Sequence, residues 1–167
     1  HPGETLRLTL LGAHYRQPLD WSEQAINQSQ KQLDTFYTQL HALKDEKATD
    51  EKVPNEILEA LYDDLNTPLA ISKIHSVIRE EKNSAVLKGK LIAIGKLMGI
   101  LQEDPAKWLG YGQSADGITP EEIEALLAQR QDAKKTKDFA KADALRKELE
   151  HKGILIEDTG QGPVWKK

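Results

Sequence analysis

The sequence predicts a mainly α protein: a helical bundle followed by a small α+β tail of two helices and a short β-ribbon. Three observations carry this expectation. Apolar residues recur at threes and fours through most of the chain, the period of an amphipathic helix. Aromatic residues are only 5% of the sequence against 38% hydrophobic overall, so a core has to be built from Leu, Ile and Ala. The period changes once, near the C-terminus, where "ILIE" and "VW" flank the turn-forming stretch "DTGQG".

The elements follow in order. "GETLRLTLLGAHY" spaces Leu6, Leu10 and Ala13 along one helical face, with Leu11 beside them. Pro18 ends that pattern, because the residue before a proline disfavours helix. Ser22 is placed to cap a long helix reaching about Leu43, with Ile26, Leu33, Phe36, Tyr37 and Leu40 on its buried side. After a charged loop, Asn55 is the expected cap of a helix carrying Ile57, Leu58, Leu61, Tyr62 and Leu65. "NTP" interrupts it, and Thr67 followed by Pro68 starts another helix with Ile71, Ile74, Val77 and Ile78 inward. A further helix holds Leu87, Leu91, Ile94, Leu97, Met98 and Leu101, and Asp104-Pro105 starts a short one.

"GYGQSADG" has no periodicity and is rich in small polar residues, which marks a boundary. The expected organisation is a bundle over 1–109, a linker over 110–118 and a tail domain over 119–167. Within the tail, Thr119, Pro120 and Glu122 read as a capping box, with Ile123, Leu126 and Leu127 apolar behind it. A second helix begins near Asp138 with Phe139, Ala142, Leu145 and Leu149 as its buried row, and Gly153 stops it. A lone two-stranded ribbon is marginal in water. It is therefore expected to lean on these helices through Ile154 and Ile156.

Composition narrows the function. The chain has no cysteine, which excludes disulfides, thiolate metal sites and a cysteine nucleophile. The histidines are His1, His14, His41, His75 and His151, and no two stand at metal-ligand spacing. No phosphate-cradling glycine loop occurs. Catalytic and metal-binding residues are therefore expected to be none. Asp63-Asp64 reads as a solvated helix end and "DDLNTPLA" as scaffold. No apolar run approaches the roughly 20 residues that span a bilayer, so a cytoplasmic protein without membrane contact is expected. The chain opens on His-Pro-Gly, the expectation for a piece of a longer protein.

The net charge is −4, so any nucleic-acid contact has to be local. The tail offers one. From Arg130 to Lys147 there are seven Lys and Arg against three Asp, an excess of four positive charges. Cations hold phosphates, whereas reading unpaired bases needs a flat group to stack on and carboxylates for base edges. Arg130, Lys134, Phe139, Asp143, Asp158 and Trp165 supply that mixture, and Lys135, Lys137 and, in the bundle, Arg16 are candidate backbone contacts. A solvated charged helix face is the alternative for the tail. For "AHYR" it is a helix C-terminus whose dipole favours His14 and Arg16.

The order "LRLTLLGAHYRQPLDWS", "DDLNTPLAI" and "KDFAKADALRKELEHKGILIEDTGQGPVWKK" closely resembles the C-terminal half of bacterial cysteinyl-tRNA synthetases. "ADALR" matches the pattern that names the DALR anticodon-binding domain. The resemblance implies a helical region along the tRNA and a tail that recognises the anticodon stem-loop of tRNA(Cys). It also implies an N-terminal catalytic domain as partner, holding ATP and zinc and joining cysteine to tRNA through an aminoacyl-adenylate. No cofactor is then expected among these residues. Lys134, Phe139, Asp143 and Asp158 match the positions that read bases, with Trp165 close by. Lys134 stands where an arginine is usual and Phe139 where a tryptophan is usual. Lysine keeps the charge without the planar fork, and phenylalanine keeps the ring without the indole N–H. Two other classes compete: a helical protein-interaction module without RNA binding, and a cysteine-ligating relative that uses an amine acceptor, against which the complete tail argues.

Overall fold

A computed structural model describes residues 1–111, 118–136, 138–159 and 162–166. The architecture is mainly helical with one two-stranded antiparallel ribbon near the C-terminus. The chain divides into two compact units, His1–Pro105 and Ala106–Lys167.

The first unit is built from α1 (Gly3–Leu11), α2 (Glu23–Ala42), α3 (Asn55–Tyr62), α4 (Thr67–Glu80) and α5 (Ser84–Met98). Helix α1 packs on α2, α3 on α4, and α4 on α5. Leu33, Phe36, Tyr37, Ile57, Ile74 and Leu91 are fully buried at its centre. Ser22 caps α2 as expected, its side chain accepting from the Ala25 N–H.

Several local expectations shift. Helix α1 buries Thr5, Leu8 and Thr9 and leaves Leu10 exposed. Two threonines can enter the core because Thr5 donates to Gln30 Oε1 and Thr9 to the Thr5 carbonyl, so neither hydroxyl is left unpaired. Helix α3 has no side-chain cap; Pro54 precedes it and Asn55 is its first residue. It stops at Tyr62 instead of running to Leu65, because Asp64 and Leu65 both turn left-handed, with φ of 52° and 54°. That conformation is strained for a residue with a Cβ, and it leaves Tyr62 and Leu65 exposed. Asn66, not Thr67, caps α4. In α5, Leu97 is exposed, while Leu101 lies beyond the helix and Ile100 is the residue buried there.

One half-buried carboxylate network ties the ends of this unit together. Glu4 Oε2 accepts from Tyr37 Oη at 2.8 Å and from the Leu101 N–H at 3.0 Å, and Oε1 accepts from the Gln102 N–H at 2.8 Å. The Tyr37 hydroxyl in turn accepts from the Glu103 N–H. Burial, with the Glu4 charge beside it, raises the Tyr37 phenol above its ordinary pKa.

The second unit holds α7 (Pro120–Lys135), α8 (Phe139–His151), β1 (Leu155–Thr159) and β2 (Gly162–Lys166), with the short α6 (Pro105–Trp108) at its start. The capping box at Thr119 and Glu122 forms as read. Helix α8 is capped by Asp138 and ends at Gly153, whose φ is 76°. There the Ile154 N–H donates to Leu149 and the Gly153 N–H to Glu150, the pairing that a left-handed glycine permits. This turn drops Ile154 into the core, so the strand begins one residue later, at Leu155. Helix α7 packs on α8, and α8 on β1. Ile118, Ile123, Leu127, Leu149, Ile154 and Trp165 form the buried cluster, with Leu126 and Ile156 against it.

Candidate nucleic-acid interface

The ribbon register decides where the tail's charged residues go. Ile156 pairs with Trp165, and Asp158 with Pro163. Side chains alternate along a strand, so Ile156 and Asp158 share one face, and the cross-strand partner Trp165 lies on it too. Ile156 and Trp165 belong to the core, so this face looks at the helices. Asp158 is therefore aimed inward at α7 from the far end of the ribbon.

It meets Arg130 there. The guanidinium Nη1 donates to Asp158 Oδ1 at 2.9 Å and Nη2 to Oδ2 at 3.0 Å, a two-pronged pair. One helical turn on, Lys134 Nζ donates to Oδ2 at 2.9 Å. Arg130 is only 4% exposed, while the Asp158 side chain is 52% exposed. The Arg130 and Lys134 cations hold the Asp158 carboxyl well below the usual carboxylate range, Arg130 contributing most. Conversely, Asp158 raises the Arg130 pKa, and the charge of Asp143 adds to the effect. Asp143 on α8 thus shares this electrostatic neighbourhood. Phe139 lies four residues before Asp143, on the same face of α8, and the residue is 63% exposed.

Arg130, Lys134 and Asp158 are in direct contact, the charge of Asp143 on α8 is felt by Arg130, and Phe139 shares the helical face of Asp143. Two of the residues read from the sequence as open to RNA are placed differently. Arg130 is inside, its plane engaged edge-on by Asp158, and offers no stacking surface. Trp165 is 5% exposed, with Nε1 donating to Glu124 Oε1 at 2.8 Å. Burying a tryptophan removes about 150–250 Å² from water, which at about 25 cal/mol per Å² contributes at most about 4–6 kcal/mol. A stacked base returns only about 1–3 kcal/mol. Trp165 is therefore the peg that pins the ribbon. Phe139 departs in the opposite sense: it was expected in the buried row of α8 and is exposed, because Asp138 caps the helix and leaves Phe139 at its first, outermost position.

Among the proposed backbone contacts, Lys135 is exposed and pairs with Asp132, three residues earlier, at 3.3 Å. Lys137 lies outside the described residues. Arg16 belongs to the first unit. Its Nε donates to Tyr15 Oη at 2.8 Å, and it pairs with Asp64 at 3.1 Å. Tyr15 Oη also donates to Asp64 at 2.7 Å, and the His14 ring stacks on Tyr15. "AHYR" and "DDLN" thus meet in one exposed junction, a pairing that neither motif signals alone. Glu124, the partner of Trp165, was not singled out by the sequence either; it carries no local pattern. Among the described residues no group of three or more His, Cys, Asp and Glu is placed to hold a metal ion. No helix of the described residues is long and apolar enough to cross a membrane.

Residues 116–165 match the family model of the cysteinyl-tRNA ligase anticodon binding domain. The whole chain is similar to curated cysteine–tRNA ligases. It is 44% identical over 173 residues to that of Parvibaculum lavamentivorans, covering 99% of this chain and 37% of the relative. It is also 44% identical to that of Xanthomonas campestris, again over 37% of the relative, and 39% identical to that of Rhodospirillum rubrum, over 38%. Along its whole length the chain is thus similar to part of the cysteine–tRNA ligases, and residues 116–165 match their anticodon binding domain. The chain spans less than two fifths of the length of these ligases. The Arg130–Asp158–Lys134 cluster, Asp143 and Phe139 all fall inside residues 116–165, the segment matched by the anticodon binding domain model.

Proposed function

We propose that this chain is the tRNA-binding, anticodon-recognising part of a cysteine–tRNA ligase, and that it is not itself catalytic. Its partners are then the anticodon stem-loop of tRNA(Cys) and the ligase's own catalytic domain. ATP and zinc belong to that domain, where cysteine is activated as an adenylate and passed to tRNA. The cytoplasm, where tRNA is charged, is the expected location.

The observation that carries this reading is an exposed Phe139 on the same helical face as Asp143, in a tail whose half-open Asp158 carboxylate is gripped by Arg130 and Lys134. An unpaired base needs a face to stack on and an acceptor for its N–H groups. Phe139 offers the first, and Asp143 and Asp158 the second. Lys134 and Lys135 supply charge for phosphates without reading sequence. Arg130 and Trp165 support the site from within.

The test is a fluorescence titration of the chain with an RNA hairpin carrying the cysteine anticodon, against the same hairpin with changed anticodon bases. Preference for the cysteine anticodon, weakened by added salt, is the expected result. Equal binding of both hairpins removes anticodon reading. No salt-sensitive binding of either one favours a helical protein-interaction module.

A further inference from the structure

We infer that Arg130 is a positioning residue for base selection, acting on RNA only through Asp158. This inference rests on the anticodon-reading role proposed for Asp158. The argument begins with acceptor directions. An ionised carboxylate has about four lone-pair sites. Arg130 occupies one on each oxygen, and Lys134 takes a second on Oδ2. What remains points away from Arg130, toward solvent, where Asp158 is half open.

The two cations differ in what they can do. Arg130 is planar and buried, so its fork holds the carboxylate in a fixed plane. Its Nε is also buried and has no hydrogen-bond partner among the described residues. The Arg130–Asp158 pair is therefore the guanidinium's only hydrogen-bonded anchor among the described residues, and each group orients the other. Lys134 is a flexible stem on the surface. Its departure toward a phosphate or a ring acceptor frees a second Asp158 site without opening the core. A base N–H thus meets an acceptor whose direction was set when the chain folded, so less order has to be created on binding.

Mispointing Asp158 should then damage discrimination between anticodons and leave general RNA affinity alone. The experiment titrates the full chain with the two hairpins described above, using Asp158→Asn, Asp158→Glu, Arg130→Lys and the Arg130→Lys/Asp158→Asn double variant. Thermal unfolding of each is recorded alongside. Asp158→Asn is expected to cut the preference for the cysteine anticodon roughly tenfold, the scale of one base-edge contact. Arg130→Lys, which keeps the charge and loses the fork, should cut it by a similar factor while binding of the changed hairpin stays constant. In the double variant Arg130→Lys should add nothing, as expected for two residues acting as one unit. Asp158→Glu, on the exposed end of the ribbon, keeps the carboxylate but moves it out of the fork, and should also lose preference.

Retention of the parent's preference by Arg130→Lys or by Asp158→Glu overturns the inference. So does an equal further loss from Arg130→Lys in the Asp158→Asn background, which marks an independent contact. A purely structural arginine instead lowers binding of both hairpins alike, and that result also overturns it. Should Arg130→Lys fail to fold, Asp158→Glu decides alone. Failure of the parent reading is recognised separately: Asp158→Asn by itself then leaves the preference intact, before Arg130 is touched.

Discussion

Each unit of this molecule holds one aspartate gripped by several donors, and the two differ in where the donors sit. In the first unit Asp64 meets Tyr15 and Arg16, all exposed to solvent. In the second unit Asp158 meets Arg130, which is buried, and Lys134, which is not. An exposed ion pair contributes little, because water and salt compete for both partners. A buried guanidinium cannot turn back to water, so its carboxylate is tied to the fold. The same carboxylate chemistry therefore makes a surface junction in one unit and an oriented acceptor in the other.

The sharpest way to break this contrast is Arg130→Ala. It removes a buried fork and the packing of its stem, and is expected to destabilise the chain by about 2–3 kcal/mol in urea unfolding. A loss as small as that of a surface pair would erase the distinction. Next comes Asp158→Ala, expected to weaken binding of the cysteine-anticodon hairpin by about 1–3 kcal/mol. Unchanged binding would reduce the pair to a structural clasp.

Acid sharpens the contrast from another side. Asp158 has its carboxyl pKa lowered in the folded state from the ordinary 3.8. Below that ordinary value the unfolded chain binds the proton more readily than the folded one. The fork's stabilisation is thus fully present above the ordinary aspartate range and is lost as pH falls through the lower folded pKa. Asp158→Asn should flatten this acid limb of the stability curve, and an unchanged limb would argue against the pairing.

Smaller effects complete the series. Lys135→Ala should weaken both hairpins alike and reduce the slope of log affinity against log salt by about 1, as for one phosphate contact. A change in anticodon preference would instead make Lys135 a reader. Arg16→Ala should change stability by less than about 1 kcal/mol, since Asp64 and Tyr15 remain hydrated. A larger loss would mean that the first junction resembles the second.

Much of the fold was legible in advance because it depends on short-range physics. The Ser22 cap, the Thr119–Glu122 box and the Gly153 stop are each local exchanges of backbone hydrogen bonds. The errors arose where distant groups intervened. Thr5 can be buried because Gln30 accepts its hydrogen bond, and α3 is cut short where the chain turns left-handed at Asp64, whose carboxylate is held by the distant Tyr15 and Arg16. The tail residues were legible as a set of chemical types, and their division into inside and outside was not. A periodicity of apolar residues carries no record of whether a charge has a partner waiting.

The sequence by itself determined that this protein is helical with a terminal ribbon, and that its tail collects cations, rings and carboxylates. Helix period, caps and turn glycines act within a few residues, so they are written in order along the chain. Only the tertiary structure decided that Trp165 is a core peg, that Phe139 stands in solvent, and that Asp158 is held by Arg130, 28 residues away. Burial and ion pairing are set by what the folded chain brings together, and that depends on strand register and helix packing.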